Sequence, residues 1–291
     1  MSSDPSVAAG ASAGASGEPN HARRFTAIWL VSTVIAMPLV ILLVGPLLGP
    51  GSGSNQSSLQ RTDMTVLAGV ATPVILLIML FLAYALVYFR QDRGAVLEGP
   101  AIRGNARIQT AWVVITSLMV LGIAVFGTVE LEAPDGAGSG SGPTPLTVPH
   151  GPKLPVQVIA QQWLFTYRYP TYGGVETYNL VLPVNETIEF QVTSLDVIHS
   201  FWAYKLGVKA DANPGVDNVA FAKPTKEESF QVRCAELCGI WHAAMVNGGK
   251  VVSASAFHTW IAEQQKDLAP ATKLLPKYSK SYIPEPTRRA E

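Results

Sequence analysis

Three long apolar runs without a charged residue set the tightest limit on what this chain can fold into. They cover Phe25 to about Leu48, Met64–Phe89 and Ile108–Val129. Each reaches about 20 residues, enough to cross a hydrocarbon core of about 30 Å as a helix. Inside lipid every backbone polar group must be satisfied within the segment, so such runs become helices. Pro38 is expected to kink the first. A cleaved signal segment competes for that first run, but its apolar region is only about 7–15 residues. The run here is longer and no clear A-x-A site follows, which favours a retained helix. Only 14% of residues are charged and the mean hydropathy is +0.24, as for a membrane protein with a soluble part.

Basic residues stay on the cytoplasmic side. Arg23 and Arg24 precede the first run, Arg61 alone lies between the first and second, and Arg90, Arg93, Arg103 and Arg107 lie between the second and third. The N-terminus is therefore inside, the 51–63 loop outside, the 90–107 loop inside, and everything after Glu130 outside. Removal of the first run would not change the fate of the C-terminal half.

The expected layout follows. Residues 1–24 form a disordered cytoplasmic tail, rich in Ala, Gly, Ser and Pro up to residue 20. Residues 25–48 are a transmembrane helix or signal segment, Gly51–Ser58 is a polar loop, and 64–130 form a transmembrane hairpin. Residues 131–152 are a linker, flexible through Ala133–Pro149. Residues 153–268 form a β domain and 269–291 an irregular tail. Val156–Ala160, Thr177–Leu182, Thr187–Val192, Ile198–Tyr204, Val219–Ala222, Ser229–Val232 and Lys250–Ser253 are strand candidates. Ile188, Phe190 and Val192 alternate with Glu189 and Gln191, the period of a half-buried strand. Several short strands at this spacing predict a β-sandwich. Ser255 would cap a short helix burying Phe257, Trp260 and Ile261.

Within that β region, Cys234-Ala-Glu-Leu-Cys-Gly-Ile-Trp-His-Ala-Ala-Met245 holds both cysteines of the chain, a histidine and a methionine, spaced C-x3-C-x3-H-x2-M. Thiolate, imidazole and thioether select copper over magnesium or calcium, and a single-copper electron-transfer site needs His2Cys with a weak axial Met. This loop has one cysteine more than that and one imidazole fewer. Two thiolates four residues apart can bridge two metals. The plainer alternative is a disulfide, common outside the cytosol. His199, in Asp196-Val-Ile-His-Ser-Phe-Trp202, supplies a candidate for the missing imidazole.

D-V-I-H-S-F-W, then L-G-V-K-A-D-A-N-P-G, then C-A-E-L-C-G-x-x-H-x-x-M together resemble subunit II of haem-copper cytochrome c oxidases, from about Met64 to about residue 265. The resemblance implies a transmembrane helix pair with one extra N-terminal helix, followed by an all-β cupredoxin-like sandwich in a bacterial cell membrane, its copper domain on the periplasmic side. It implies a binuclear copper centre, CuA, held by His199, Cys234, Cys238, His242, Met245 and the backbone carbonyl of Glu236. The Glu236 carboxylate would bind magnesium at the boundary with subunit I, with Asp211 near that second site. Magnesium suits a site with only one or two protein carboxylates. Trp163 would receive electrons from cytochrome c. They would pass to haem in subunit I, where oxygen reduction is coupled to proton translocation. Subunits I and III and the bilayer are the implied partners. Zero net charge gives no reason to expect nucleic acid.

Two positions depart from the family's usual pattern. Leu164 and Phe165 follow Trp163 where Trp and Tyr are common. Gln109, three residues before Trp112, replaces a Glu near a proton-uptake path, and Gln cannot titrate. Residues 150–291 carry 14 Lys/Arg against 13 Asp/Glu, so no acidic excess is present to steer a basic cytochrome. Trp163 as an ordinary packed strand aromatic and Glu236 as a solvated loop carboxylate are the plainer readings of those residues. His21 in the tail, His150 in the linker and His258 on the short helix have no soft partner nearby. A copper-delivery protein of the thioredoxin-like kind would need alternating strands and helices. Nitrous oxide reductase would need a propeller that 291 residues cannot hold, and quinol-oxidase relatives lack the ligands present here.

Overall fold

The computed structural model describes residues 20–90, 104–132 and 148–269. The tail at 1–19, most of the basic loop, most of the Gly/Ser/Pro linker and the stretch from 270 lie outside the described residues. Among the described residues, three helices are long and apolar enough to cross a membrane.

The first helix, α1 (His21–Leu39), starts before Phe25 because Asn20 caps it. The Asn20 side-chain oxygen accepts from the Arg23 N–H at 3.0 Å. His21 is thus helical rather than part of a tail, and its Nδ1 lies 2.8 Å from the Tyr84 hydroxyl. Beyond Pro38 the chain widens into a π turn at Val40–Val44 and tightens to a 3-10 turn at Gly45–Leu47. Proline has no N–H for the helix ladder, which localises the irregularity there. α2 (Asn55–Tyr88) has 34 residues. At 1.5 Å each it is about 51 Å long, roughly 20 Å more than a hydrocarbon core. The expected loop through Ser58 is helical from Asn55, because Ser54 and Ser57 cap one another through reciprocal backbone-to-hydroxyl bonds of 2.9 and 3.0 Å. α3 (Ala106–Glu132) is capped by Asn105 and carries Gln109 in its first turn.

The chain divides into two compact units, residues 1–41 with 68–101 and residues 42–67 with 102–291. In the first, Phe25 packs edge-on against Phe81 and Tyr84, and the Trp29 indole donates to the Pro73 carbonyl at 2.8 Å. In the second, the polar start of α2 is bound into the β domain. Ser54 Oγ donates to the Leu206 carbonyl and Gln60 Nε2 to the Gly207 carbonyl, both at 2.6 Å.

The β domain is a sandwich of two five-stranded sheets. One has the order β3 (Val175–Thr177), β2 (Leu164–Tyr169), β1 (Leu154–Gln161), β5 (Ile188–Ser194), β8 (Asn218–Ala222). The other runs β4 (Leu180–Pro183), β10 (Val246–Val252), β9 (Glu228–Cys234), β6 (His199–Ala203), β7 (Val208–Ala212). β1 pairs parallel with β5 and β4 parallel with β10; the other pairs are antiparallel. The expected run Thr177–Leu182 breaks between sheets, and Asn247 holds the corner by donating to the Tyr178 carbonyl at 2.9 Å. β2 and β7 extend the sheets beyond the runs expected. The closing helix, α4 (Ala254–Asp267), is capped by Ser253 rather than Ser255, through the Ala256 N–H at 3.2 Å. Phe257 and Ile261 are buried, Trp260 meets Tyr169, and His258 is exposed.

Alternation builds the core. In β9, Phe230, Val232 and Cys234 point inward while Ser229, Gln231 and Arg233 are exposed. Phe165, Tyr167, Phe190 and Phe201 fill the space between the sheets, each buried ring contributing roughly 1.5–3 kcal/mol.

Candidate metal centre

Strand register assembles the site. Cys234 is the last inward residue of β9 and pairs with Phe201 of β6. His199, two residues before Phe201, shares its face and becomes the diagonal neighbour of Cys234. Across the other edge, Arg233 pairs with Val246, and the Cys234 N–H donates to the Met245 carbonyl at 3.1 Å. Three strand ends thus set His199, Cys234 and Met245 in a row at one end of the sandwich. Cys238 and His242 are delivered over it by the loop between β9 and β10.

Both cysteines are free thiols. Their sulfurs lie 3.7 Å apart, well beyond a disulfide bond of about 2.05 Å. His199 Nδ1 is 3.8 Å from Cys234 Sγ and His242 Nδ1 is 3.5 Å from Cys238 Sγ. Met245 Sδ is 3.9 Å from Cys238 Sγ, and the Glu236 carbonyl is 3.2 Å from Cys234 Sγ. Ligand atoms of His199, Cys234 and Cys238 all lie within 4.8 Å of one another. His199 and Met245 are fully buried, so this end of the core keeps water from the row. The donor set is soft and borderline, sulfur with imidazole, and it suits a soft transition metal.

Electrostatics in the pocket favour one anion. Burial raises both thiols. At Cys234, hydrogen bonds to His199 and to the backbone at Glu236 and Ser200 outweigh burial and pull it below the usual cysteine value. At Cys238, burial and the adjacent Cys234 push it up. Two neighbouring thiolates repel, so deprotonating both requires positive charge between them. Burial disfavours a charged His199 ring, but its bonds to Cys234 and Asp196 prevail and raise its pKa.

A shell of residues outside the ligand motif holds these donors. Asp196 Oδ1 lies 2.9 Å from His199 Nε2, which leaves Nδ1 turned toward the sulfurs. The same carboxylate accepts from the Gln162 and Val197 N–H groups, both at 2.7 Å. Gln162 Nε2 and the Trp163 indole N–H then converge on the Cys238 carbonyl at 2.8 and 3.0 Å. Gln162 and Trp163 form the two-residue tip between β1 and β2, where Gln161 pairs with Leu164. Trp163 is half-buried at the rim rather than packed in a strand. Gly239 closes against this tip at φ +117, and a Cβ there would lie 3.1–3.3 Å from Gln162 and Trp163 side-chain atoms. Gln162, Asp196 and Gly239 were not singled out from sequence. The signals that would find them are Gln immediately before Trp163, Asp three residues before His199, and Gly between two ligands.

Glu236 is exposed. Asp211 sits on β7 opposite Ser200, whose hydroxyl donates to its carboxylate at 2.8 Å. Ser200 in turn accepts from the Ala235 N–H at 2.9 Å, so Asp211 is one residue removed from the ligand loop. Among the described histidines, His21, His150 and His258 stand apart from the cluster.

A family model described as cytochrome c oxidase subunit II, periplasmic domain, matches residues 175–252. Cytochrome c oxidase subunit 2 of Thermostichus vulcanus is 25% identical over 281 residues, covering 82% of this chain and 85% of that protein. Its Bacillus subtilis counterpart is 29% identical over 276 residues, covering 88% and 74%. The solved periplasmic domain of subunit II of cytochrome oxidase from Bradyrhizobium japonicum is 35% identical, covers 39% of this chain and 94% of that one, and superposes with a TM-score of 0.38. With its apolar helices, its β-sandwich and the cysteine–histidine cluster at the sandwich's end, this chain belongs to the cytochrome c oxidase subunit II family, a subunit of a haem-copper oxidoreductase.

Proposed function

We propose that this chain is the electron-input subunit of its oxidase, accepting electrons from cytochrome c or a similar external carrier at a binuclear copper centre and passing them to haem in subunit I. Oxygen reduction and coupled proton translocation belong to that partner. The observation that carries this reading is the convergence of both thiols, two imidazoles, a thioether and a carbonyl on one end of the sandwich. Cys234, Cys238, His199, His242, Met245 and the Glu236 carbonyl would hold the copper, a donor set with one thiolate more than a single-copper site needs. Bound there, copper would supply a one-electron carrier whose charge is spread over both metals.

The chain's own residues do the rest. The strand ends fix the ligands so that they need not move between oxidation states. Asp196 holds His199 in one tautomer. Trp163 hydrogen-bonds the carbonyl of a ligand residue, which gives electrons a short route from the rim to Cys238. Glu236 offers an exposed carboxylate for magnesium toward subunit I, and Asp211 supports that side through Ser200. The arginine distribution supports a β domain on the outer face of the membrane, which in a bacterial cell is the periplasmic side, and subunits I and III would lie beside the helices. Gln109 leaves no titratable group at its position for proton uptake. A thioredoxin-like delivery protein finds no support in two all-β sheets.

The test is copper analysis with electron paramagnetic resonance on the full-length chain in detergent. Two coppers per chain and one unpaired electron shared between them are expected. Both should vanish in Cys234→Ser and Cys238→Ser while helix content is retained. A single copper per chain, or a disulfide between the two cysteines in the working complex, would reject the reading.

A further inference from the structure

The loop that carries the candidate ligands also carries the most exposed large apolar side chains among the described residues of the β domain. Leu237 is 78% exposed, Ile240 85% and Trp241 58%. Single exposed apolar residues need no explanation, but three within five positions at one rim do. They are not loosely held. Cys238, His242 and Met245 anchor the loop inward, and the His242 and Ala244 N–H groups close turns onto the Gly239 and Trp241 carbonyls at 3.1 and 2.9 Å. Ile240 and Trp241 therefore project from a fixed turn, the form that binding anchors take. The patch adjoins Trp163, because the Trp163 indole donates to the carbonyl of Cys238 at 3.0 Å, between Leu237 and Ile240 in the loop.

Charge is sparse on this rim. Leu237 to Gly249 contains no Asp, Glu, Lys or Arg. The Asp196 carboxylate, bound to the N–H of Gln162 next to Trp163, is already engaged by His199, Gln162 and Val197. Glu236 is the only other acid in the loop.

Resting on the reading that electrons arrive beside Trp163, we infer that the electron carrier docks on this uncharged face, anchored by Ile240 and Trp241. Its own surface around the cofactor edge is apolar rather than ringed with lysines. The apolar rim excludes water over the ligand loop, and the β half of the chain has no acidic excess to steer a basic partner. Encounter is then slow to respond to salt.

The test uses the whole oxidase complex and one probe in two forms: reduced cytochrome c with its lysine ring intact, and the same protein with those lysines acetylated. Second-order oxidation rates are followed from low to physiological ionic strength, and binding of the oxidised probe is titrated calorimetrically. The acetylated form is expected to react at least as fast as the native form, with a rate changing by less than about twofold over that range. Ile240→Ser and Trp241→Ala should each weaken binding and slow oxidation by about tenfold or more, as for an interface anchor. Copper content, the paramagnetic signal and co-purification with subunit I should stay unchanged. A steep salt dependence with preference for the lysine-ringed form would overturn the inference, as would unaltered rates in both variants. Loss of subunit I from either variant would assign the patch to that subunit instead. Absence of the two-copper signal in the unmodified complex would sink the underlying reading, and is distinguished by being measured in the same preparations.

Discussion

Asp196 shows how much one residue outside the ligand set controls. Its carboxylate holds His199 by Nε2 and the Trp163 hairpin by the Gln162 N–H. Removing such a partner usually costs about 10–100-fold in metal affinity. Asp196→Ala is therefore expected to weaken copper binding by that order in chelator competition, and Asp196→Asn, which keeps an acceptor oxygen, to recover part of it. Unchanged affinity in the alanine variant would remove the positioning role. Trp163 acts through its indole N–H on Cys238. Trp163→Phe keeps a ring and loses that bond. Electron arrival should slow on the order of tenfold, equivalent to ~1.4 kcal/mol, with copper content unaltered. Donor kinetics identical to those of the parent would reject Trp163 as the route.

At the scale of elements, two glycines mark where segments close on one another. Gly239 at φ +117 meets the β1–β2 tip, where a Cβ would be strained by the backbone angle and would crowd the Gln162 and Trp163 side chains at 3.1–3.3 Å. Gly239→Ala is expected to cost about 1–3 kcal/mol and displace Trp163, seen as a lower Tm and altered tryptophan fluorescence. Gly207 at φ +65 seats the start of α2, and a Cβ there would come within 2.8 Å of the Ser57 backbone. Backbone cannot rotate away as a side chain can. Gly207→Ala should therefore break the Gln60 and Ser54 bonds and expose the 49–60 segment to protease. Resistance equal to that of the parent would show the contact to be dispensable. Neither junction follows from local pattern. Asn55–Asp63 is polar and reads as loop from its composition, but it is helical because of a serine cap and the β domain it binds. Thr177–Leu182 read as one strand because its apolar content is continuous, while the corner at Tyr178 depends on Asn247, far along the chain.

For the molecule as a whole, the second unit carries a pH-sensitive weak point. Burial raises the Asp217 carboxyl from the ordinary carboxylate range to about 6. A raised folded-state pKa stabilises fully below the unfolded value, and that contribution is lost as pH rises through about 6. The β domain is expected to lose about 1–2 kcal/mol between pH 4 and 7 after allowance for solvent screening. Asp217→Asn should flatten that slope and raise Tm at neutral pH, and parallel melting profiles for the two proteins would refute it. The sequence by itself determined the three long apolar helices, the sandwich and the C-x3-C-x3-H-x2-M motif with His199. Uncharged apolar runs, strand alternation and ligand chemistry are properties of side-chain types at given spacings. Tertiary structure alone decided which residues surround the ligands. Gln162, Asp196 and Gly239 meet the centre from three separate segments, and only the packed register of β1, β6 and β9 brings those segments within hydrogen-bonding reach.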